Sequence, residues 1–144
     1  MTARRAPAYL AGNRQLCSSS SGGKRADLGG QYFRSSWEAN AARFWNWTHE
    51  PWTYEPQTFW FPGIRRGNVS YTPDFWLPAK GHFVEVKGWM DPASKTKLAR
   101  MARYHPTVKI VLLDAAFFRA IERQRLCKVI PGWECVHTAP TGGA

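Results

Sequence analysis

The clearest hydrophobic pattern in the chain lies at His82–Lys87 and predicts a β-strand. Val84 and Val86 alternate there with Glu85 and Lys87. Because successive side chains of a strand point to opposite faces, the two valines are predicted to face the core. Glu85 and Lys87 then lie side by side on the other face, so this strand places a carboxylate next to an ammonium group.

Local signals predict helices on either side of this strand. Ser35 and Glu38 have the spacing of a capping box at the start of a first helix. Asp91 and Pro92 suit the N-cap and first position of a second helix, which is predicted to end near Tyr104. The other predicted elements are strands at Trp52–Phe61, Val69–Leu77 and Val108–Leu113, a helix at Ala115–Arg125 and an edge strand at Lys128–Val136.

The order of these elements predicts an α/β fold with a mixed sheet flanked by helices. Pro56 interrupts the first predicted strand, and Pro73 lies inside the second, where an edge or a bulge is expected. Residues 1–30 are rich in Ser, Gly and Arg and are predicted to be a flexible basic arm. Residues 31–137 form the predicted folded domain, and 138–144 a loose tail.

The charge balance of the chain indicates a polyanionic partner. The chain has 20 Lys and Arg, 13 of them Arg, against 10 Asp and Glu, for a formal net charge of +10. Such an excess attracts polyanions, and nucleic acid is the commonest of them. A basic domain with no particular partner is the alternative. The sequence shows no basic amphipathic helix with a clean apolar face, so it does not support binding to a membrane surface.

Composition also bears on the compartment. No apolar run has the length of a signal peptide or of the ~20-residue segment that spans a membrane. The three cysteines are an odd number without metal-ligand spacing, which fits a reducing environment. A cytoplasmic protein is therefore expected.

The candidate chemistry lies at Asp74, Glu85 and Lys87. A hairpin through the Pro78–Gly81 turn places Asp74 across from Glu85. Two close carboxylates repel each other unless a cation lies between them, and oxygen ligands without nearby His or Cys favour Mg²⁺ or Mn²⁺. The alternative is structural: Glu85 and Lys87 form an exposed pair, and Asp74 belongs to a turn.

Pro73-Asp74 followed by Glu85-Val86-Lys87 resembles the signature of the PD-(D/E)XK nuclease superfamily. The resemblance covers roughly residues 32–113 and extends to Ser36-Trp37-Glu38 and to Tyr54-Glu55-Pro56-Gln57. These two segments are similar to small phage and transposon members, including phage Holliday junction resolvases of the endonuclease I and archaeal types. The resemblance implies a restriction-endonuclease-like α-β-β-β-α-β core.

The same resemblance implies a role for each matching residue. Asp74, Glu85, the carbonyl of Val86 and Glu38 would hold Mg²⁺, for which Mn²⁺ substitutes, without any small-molecule cofactor. Lys87 would be the catalytic lysine, and together with Glu38, Asp74 and Glu85 it completes the catalytic set. Glu38 has the capping box as its alternative role.

The function that the resemblance implies is metal-dependent, structure-selective DNA cutting by a phage Holliday junction resolvase in a bacterial cytoplasm. Branched or four-way DNA would be the substrate, and a homodimer would supply two cutting sites. The alternatives are a transposon-end or repair nicking enzyme of the same superfamily and a non-catalytic basic DNA-binding module. The predicted phosphate contacts, which an ordinary solvated surface would also explain, are Arg65, Arg66, Lys95, Lys97, Arg100 and Arg103.

Overall fold

The computed structural model describes residues 22–135, which fall into two compact units. One unit contains the residues up to Trp47 together with those from Ile121 onward, and the other is Thr48–Ala120. Most of the predicted N-terminal arm (residues 1–21) and the predicted tail (138–144) lie outside the described residues. None of the helices within residues 22–135 is long and apolar enough to cross a membrane.

The first unit begins with a small hairpin where the sequence predicted the end of the flexible arm. Strand β1 (Gly23–Arg25) pairs antiparallel with β2 (Gln31–Phe33), and a 3-10 turn at Ala26–Leu28 connects them. The prediction of an arm was therefore wrong for residues 22–30. Helix α1 (Ser36–Trp47) follows at the predicted place.

The C-terminal part of this unit also differs from the prediction. Helix α3 (Ala115–Arg123), which starts in the second unit, is followed by a 3-10 turn at Leu126–Lys128. The edge strand predicted for Lys128–Val136 is not formed in its described part, up to residue 135. Pro131 has no N–H to donate to a ladder, and Gly132 has a φ of 80°, so this segment turns instead.

The second unit contains a four-stranded mixed sheet, a separate strand pair and one complete helix. Its elements are β3 (Thr53–Tyr54), β4 (Phe59–Trp60), β5 (Ser70–Tyr71), β6 (Phe75–Leu77), β7 (His82–Lys87), α2 (Pro92–Tyr104) and β8 (Ile110–Asp114). The order of the sheet is β3-β6-β7-β8, in which β7 and β8 are parallel and the other pairs antiparallel. Helix α2 connects β7 to β8, and β4 and β5 form the separate antiparallel pair. The predicted α/β class with a mixed sheet is confirmed.

Each of the first two predicted strands is divided in two at its proline. The segment Trp52–Phe61 becomes β3 and β4 on either side of Pro56, and Val69–Leu77 becomes β5 and β6 on either side of Pro73. Proline cannot donate a hydrogen bond to a ladder, so neither strand continues through it. As a result β3 and β6 stay in the main sheet, while β4 and β5 form their own pair.

The two faces of the main sheet differ in character. Phe75, Leu77, Val84 and Val86 are buried on one face, as predicted for the two valines. The other face is defined by Phe83 and is covered by β4, β5 and α2. Its core cluster consists of Phe59, Phe61, Tyr71, Phe83 and Met101.

Strand β8 is only partly buried although its sequence is apolar. Leu112 is 43 % exposed, Ile110, Val111 and Leu113 are half-buried, and Asp114 is exposed. Strand β8 is the last strand of the sheet and has a neighbouring strand on one side only.

Candidate active site

Asp74 and Glu85 lie opposite each other on the face of the sheet that carries Phe83. The register of β6 and β7 pairs Phe75 with Val84, and its continuation by one residue brings Asp74 across from Glu85. Asp74 is only 9 % exposed, and its Oδ2 accepts a hydrogen bond of 2.7 Å from the backbone N–H of Val86. The predicted pairing of these carboxylates is thus what the hairpin produces.

Tyr71 holds the second carboxylate and was missed by the sequence analysis. Its hydroxyl donates a hydrogen bond of 2.6 Å to Oε2 of Glu85. Burial, together with the negative charges of Glu85 and Asp74, raises the pKa of Tyr71 above its usual value, so the hydroxyl keeps its proton. Tyr71 lies on the far side of Pro73 from Asp74, and nothing in the linear pattern shows that the break at Pro73 directs it to Glu85.

At the predicted metal ligand Glu85, replacing Tyr71 by Phe is expected to weaken Mg²⁺ binding by about tenfold, because groups that orient metal ligands typically contribute 10–100-fold to metal affinity. The measurement is the affinity for Mg²⁺ in isothermal titration calorimetry. Tyr32→Phe is the matched control, since Tyr32 is 51 % exposed and belongs to the other unit. An unchanged Mg²⁺ affinity in Tyr71→Phe would contradict a positioning role for the hydroxyl.

Lys87 occupies the end of β7, two residues beyond Glu85 and on the same face. Its Nζ lies 3.7 Å from Oδ2 of Asp91, and its side chain is 30 % exposed. Asp91 is the N-cap of α2, as predicted, and its Oδ1 accepts a hydrogen bond of 2.7 Å from the N–H of Ser94. That N–H lowers the pKa of Asp91, which therefore offers Lys87 a stable negative partner at the edge of the site.

Glu38 belongs to the first unit and takes part in the predicted cap of α1. The N–H of Glu38 donates to Oγ of Ser35 at 3.2 Å, which satisfies one orphan donor at the start of the helix. Oε2 of Glu38 accepts from the N–H of Arg34 at 3.1 Å, one residue before the N-cap, instead of from the N-cap itself. These contacts support the capping role of Glu38, and its metal-binding role stays a prediction.

The donor set formed by Asp74 and Glu85 fits magnesium better than zinc. Within residues 22–135 no group of three or more His, Cys, Asp or Glu side chains could hold a metal ion. Structural and catalytic zinc sites need three or four such ligands. Magnesium is commonly bound through one or two carboxylates and completes its shell with water and substrate phosphate, so a carboxylate pair is sufficient.

The predicted phosphate contacts lie on elements that cover the same face of the sheet. Helix α2 carries Lys95, Lys97, Arg100 and Arg103, and its Met101 belongs to the core cluster with Phe83. The guanidinium of Arg100 donates to the carbonyl of Asn68. This bond attaches α2 to the loop that carries the exposed Arg65 and Arg66.

An open cleft of about 300 Å³ lies on the face of the sheet that carries the two carboxylates. Its lining residues are Pro56, Gln57, Phe59, Trp76, Phe83 and Val108. Trp76 packs on Phe83 with ring centroids 4.6 Å apart, and part of it faces the cleft. Trp89 is 78 % exposed.

Comparisons of the chain with family models, with curated proteins and with solved structures found no significant match.

Proposed function

We propose that the protein is a magnesium-dependent endonuclease that hydrolyses phosphodiester bonds in DNA. The observation that carries this proposal is the carboxylate pair of Asp74 and Glu85, each held by a hydrogen bond from the protein. Bringing two carboxylates together at a largely buried position is unfavourable unless a cation offsets their repulsion. The net charge of +10 supports a polyanionic substrate.

In this mechanism Asp74 and Glu85 would hold the metal ion, with the carbonyl of Val86 as a further ligand. A bound magnesium ion stabilises negative charge on the scissile phosphate and lowers the pKa of the attacking water. The N–H of Val86 and the hydroxyl of Tyr71 fix the orientation of the two carboxylates. Lys87, at the exposed end of the same face, would stabilise the charge that develops on the phosphate.

Arg65 and Arg66 would bind the DNA backbone, and a salt titration tests this. The double variant Arg65→Ala/Arg66→Ala is expected to reduce the slope of log affinity against log salt by about 2, since each neutralised phosphate contributes ~0.9. Binding is measured in chelator, so that no DNA is cut. The control is Arg119→Ala/Arg123→Ala, which removes two exposed arginines of α3. Equal slopes for both double variants would contradict the proposed contact.

The substrate that we propose on the basis of the sequence resemblance is a four-way DNA junction. A junction has two symmetric cut sites, so a homodimer would supply one active site to each. Light scattering of the protein with and without junction DNA tests this, and a monomeric mass in both would contradict the dimer.

The discriminating experiment compares an end-labelled four-way junction with a linear duplex, each in Mg²⁺ and in chelator. Paired symmetric cuts in the junction alone, lost in chelator, would support the resolvase. Equal cutting of both substrates would instead favour a nicking or repair enzyme of the same chemistry. Binding without cutting would favour the DNA-binding module.

A further inference from the structure

Two residues that line the cleft are neighbours of the carboxylate pair along strands β6 and β7. Trp76 and Phe83 are partners in the β6–β7 ladder, two residues from Asp74 and Glu85 respectively, and all four side chains share one face. Two residues of a strand span about 7 Å. The aromatic pair therefore lies one short step from the position at which the phosphate would bind.

The opposite wall of the cleft is attached to the same site. The N–H of Glu55 donates to the carbonyl of Asp74 at 2.7 Å, just before Pro56 and Gln57. Just after them, the hydroxyls of Thr58 and Thr72 are 2.7 Å apart. The Pro56–Gln57 wall is thus fixed at one end to Asp74 and at the other to Thr72, the neighbour of Tyr71, by hydrogen bonds within the protein.

The lining of the cleft has the chemistry of a base-binding site. Trp76, which is half-buried, provides aromatic surface on which any nucleobase can stack, and the buried rings of Phe59 and Phe83 line the cleft beside it. The amide of Gln57 offers both a donor and an acceptor, and can hydrogen-bond to the edge of a base. The DNA whose phosphate binds at Asp74 and Glu85 is the occupant that this neighbourhood favours, because it carries its own bases to the cleft.

We propose that the cleft binds one unpaired nucleobase of DNA, from the nucleotide next to the scissile phosphate. The assignment of that phosphate rests on the proposed nuclease function, whereas binding of the base does not require cutting. A paired base cannot enter without leaving its stack, which is unfavourable in an intact duplex and costs least where the base is already unpaired. The enzyme is therefore expected to prefer DNA with an unpaired nucleotide beside the cut.

The test measures binding of three labelled duplexes in chelator by fluorescence anisotropy. One carries a single bulged adenosine, the second an abasic residue at the same bulge, and the third is fully paired. The bulged and abasic duplexes have the same backbone length and charge and differ only in the base, so the difference in their affinities reports its contribution. Wild-type protein is expected to bind the bulged adenosine about tenfold more tightly than the abasic bulge.

Variants inside and outside the cleft test whether the base binds there. Val108→Phe fills the cleft and is expected to abolish the preference, and Gln57→Ala, at an exposed loop position, is expected to reduce it without risk to the core. Gln124→Ala removes an exposed glutamine outside the cleft and is expected to leave the preference intact. Trp89→Ala is expected to do the same; a loss there would place the base on Trp89 and overturn the proposal.

Equal affinity of the wild type for the bulged and abasic duplexes would also overturn it, as would a preference that persists in both cleft variants. A parallel cutting assay in Mg²⁺ separates this result from the proposed function. Base preference without any cutting would retain the base site and remove the nuclease. Metal-dependent cutting without base preference would retain the nuclease and remove the base site.

Discussion

Replacing Asp74 by Asn, or Glu85 by Gln, is expected to lower the rate of metal-dependent DNA cutting by about 10³-fold, the size of effect that follows loss of one charge-stabilising group in an active site. Each amide keeps an oxygen that can accept the hydrogen bond now made by the carboxylate, from Val86 or Tyr71. The substitutions therefore remove a negative charge while preserving the local geometry. The loss is measured as the single-turnover cutting rate at saturating Mg²⁺.

Two controls test whether the loss of cutting is specific to these carboxylates. Glu122→Gln makes the same chemical change in α3 and is expected to leave the rate unchanged. DNA binding in chelator is expected to be retained in Asp74→Asn and Glu85→Gln, because removing a carboxylate lowers repulsion of the phosphate backbone. If both variants cut DNA at the wild-type rate, Asp74 and Glu85 are not the metal site.

The second large effect concerns stability and arises from Arg43 in the first unit. Its guanidinium makes a bidentate contact with Asp27, at 2.8 and 3.0 Å, and a further bond of 2.7 Å to Glu134. Arg43 is only 5 % exposed, and Arg25 also donates to Glu134 at 2.8 Å. The network connects the N-terminal hairpin, α1 and the C-terminal segment.

Replacing Arg43 by Met is expected to lower the free energy of unfolding by about 2 kcal/mol, because Asp27 loses both of its hydrogen bonds from the guanidinium and Glu134 keeps only the bond from Arg25. Urea unfolding followed by tryptophan fluorescence measures the loss. Arg119→Met, at an exposed position of α3, is the control and is expected to change stability by no more than about 0.5 kcal/mol. A loss in Arg43→Met no larger than that of the control would show that the network contributes little.

The same network gives a dependence on pH whose sign is fixed. Burial alone would raise the pKa of Asp27, but the hydrogen bond and charge of Arg43 outweigh it and hold the pKa below its usual 3.8. A carboxyl with a lowered folded-state pKa stabilises the fold at pH above its unfolded value. This stabilisation is lost as the pH falls below about 3.8, and the loss is expected to be smaller in Arg43→Met.

The parts of the fold that the sequence predicts well are those set by near neighbours in the chain. Strand β7 and helix α2 have the predicted bounds, because alternation defines the one and the Asp91–Pro92 start defines the other. The pairing of Asp74 with Glu85 follows in the same way. A short turn joins their strands, so the register is fixed within a dozen residues.

The parts that the sequence does not predict depend on contacts far apart in the chain. The hairpin of residues 23–33 is rich in Gly and polar residues, and its composition resembles a flexible arm. It is attached through Arg25 to Glu134, which lies 109 residues away. Tyr71 and the cleft were missed for a related reason: the chain leaves the main sheet at Pro56 and rejoins it at Pro73, and linear periodicity does not show where the intervening segment packs.

The length of the turn at Pro78–Gly81 determines which side chains of β7 lie on the same face of the sheet as Asp74. The N–H groups of Lys80 and Gly81 both donate to the carbonyl of Leu77, and Gly81 has a φ of 68°, which suits glycine. If the turn gained or lost one residue and the register shifted with it, side chains of β7 would exchange faces relative to those of β6. Glu85 would then enter the core and Val84 or Val86 would face Asp74. In homologous chains, this turn is accordingly expected to tolerate changes of residue far more readily than changes of length.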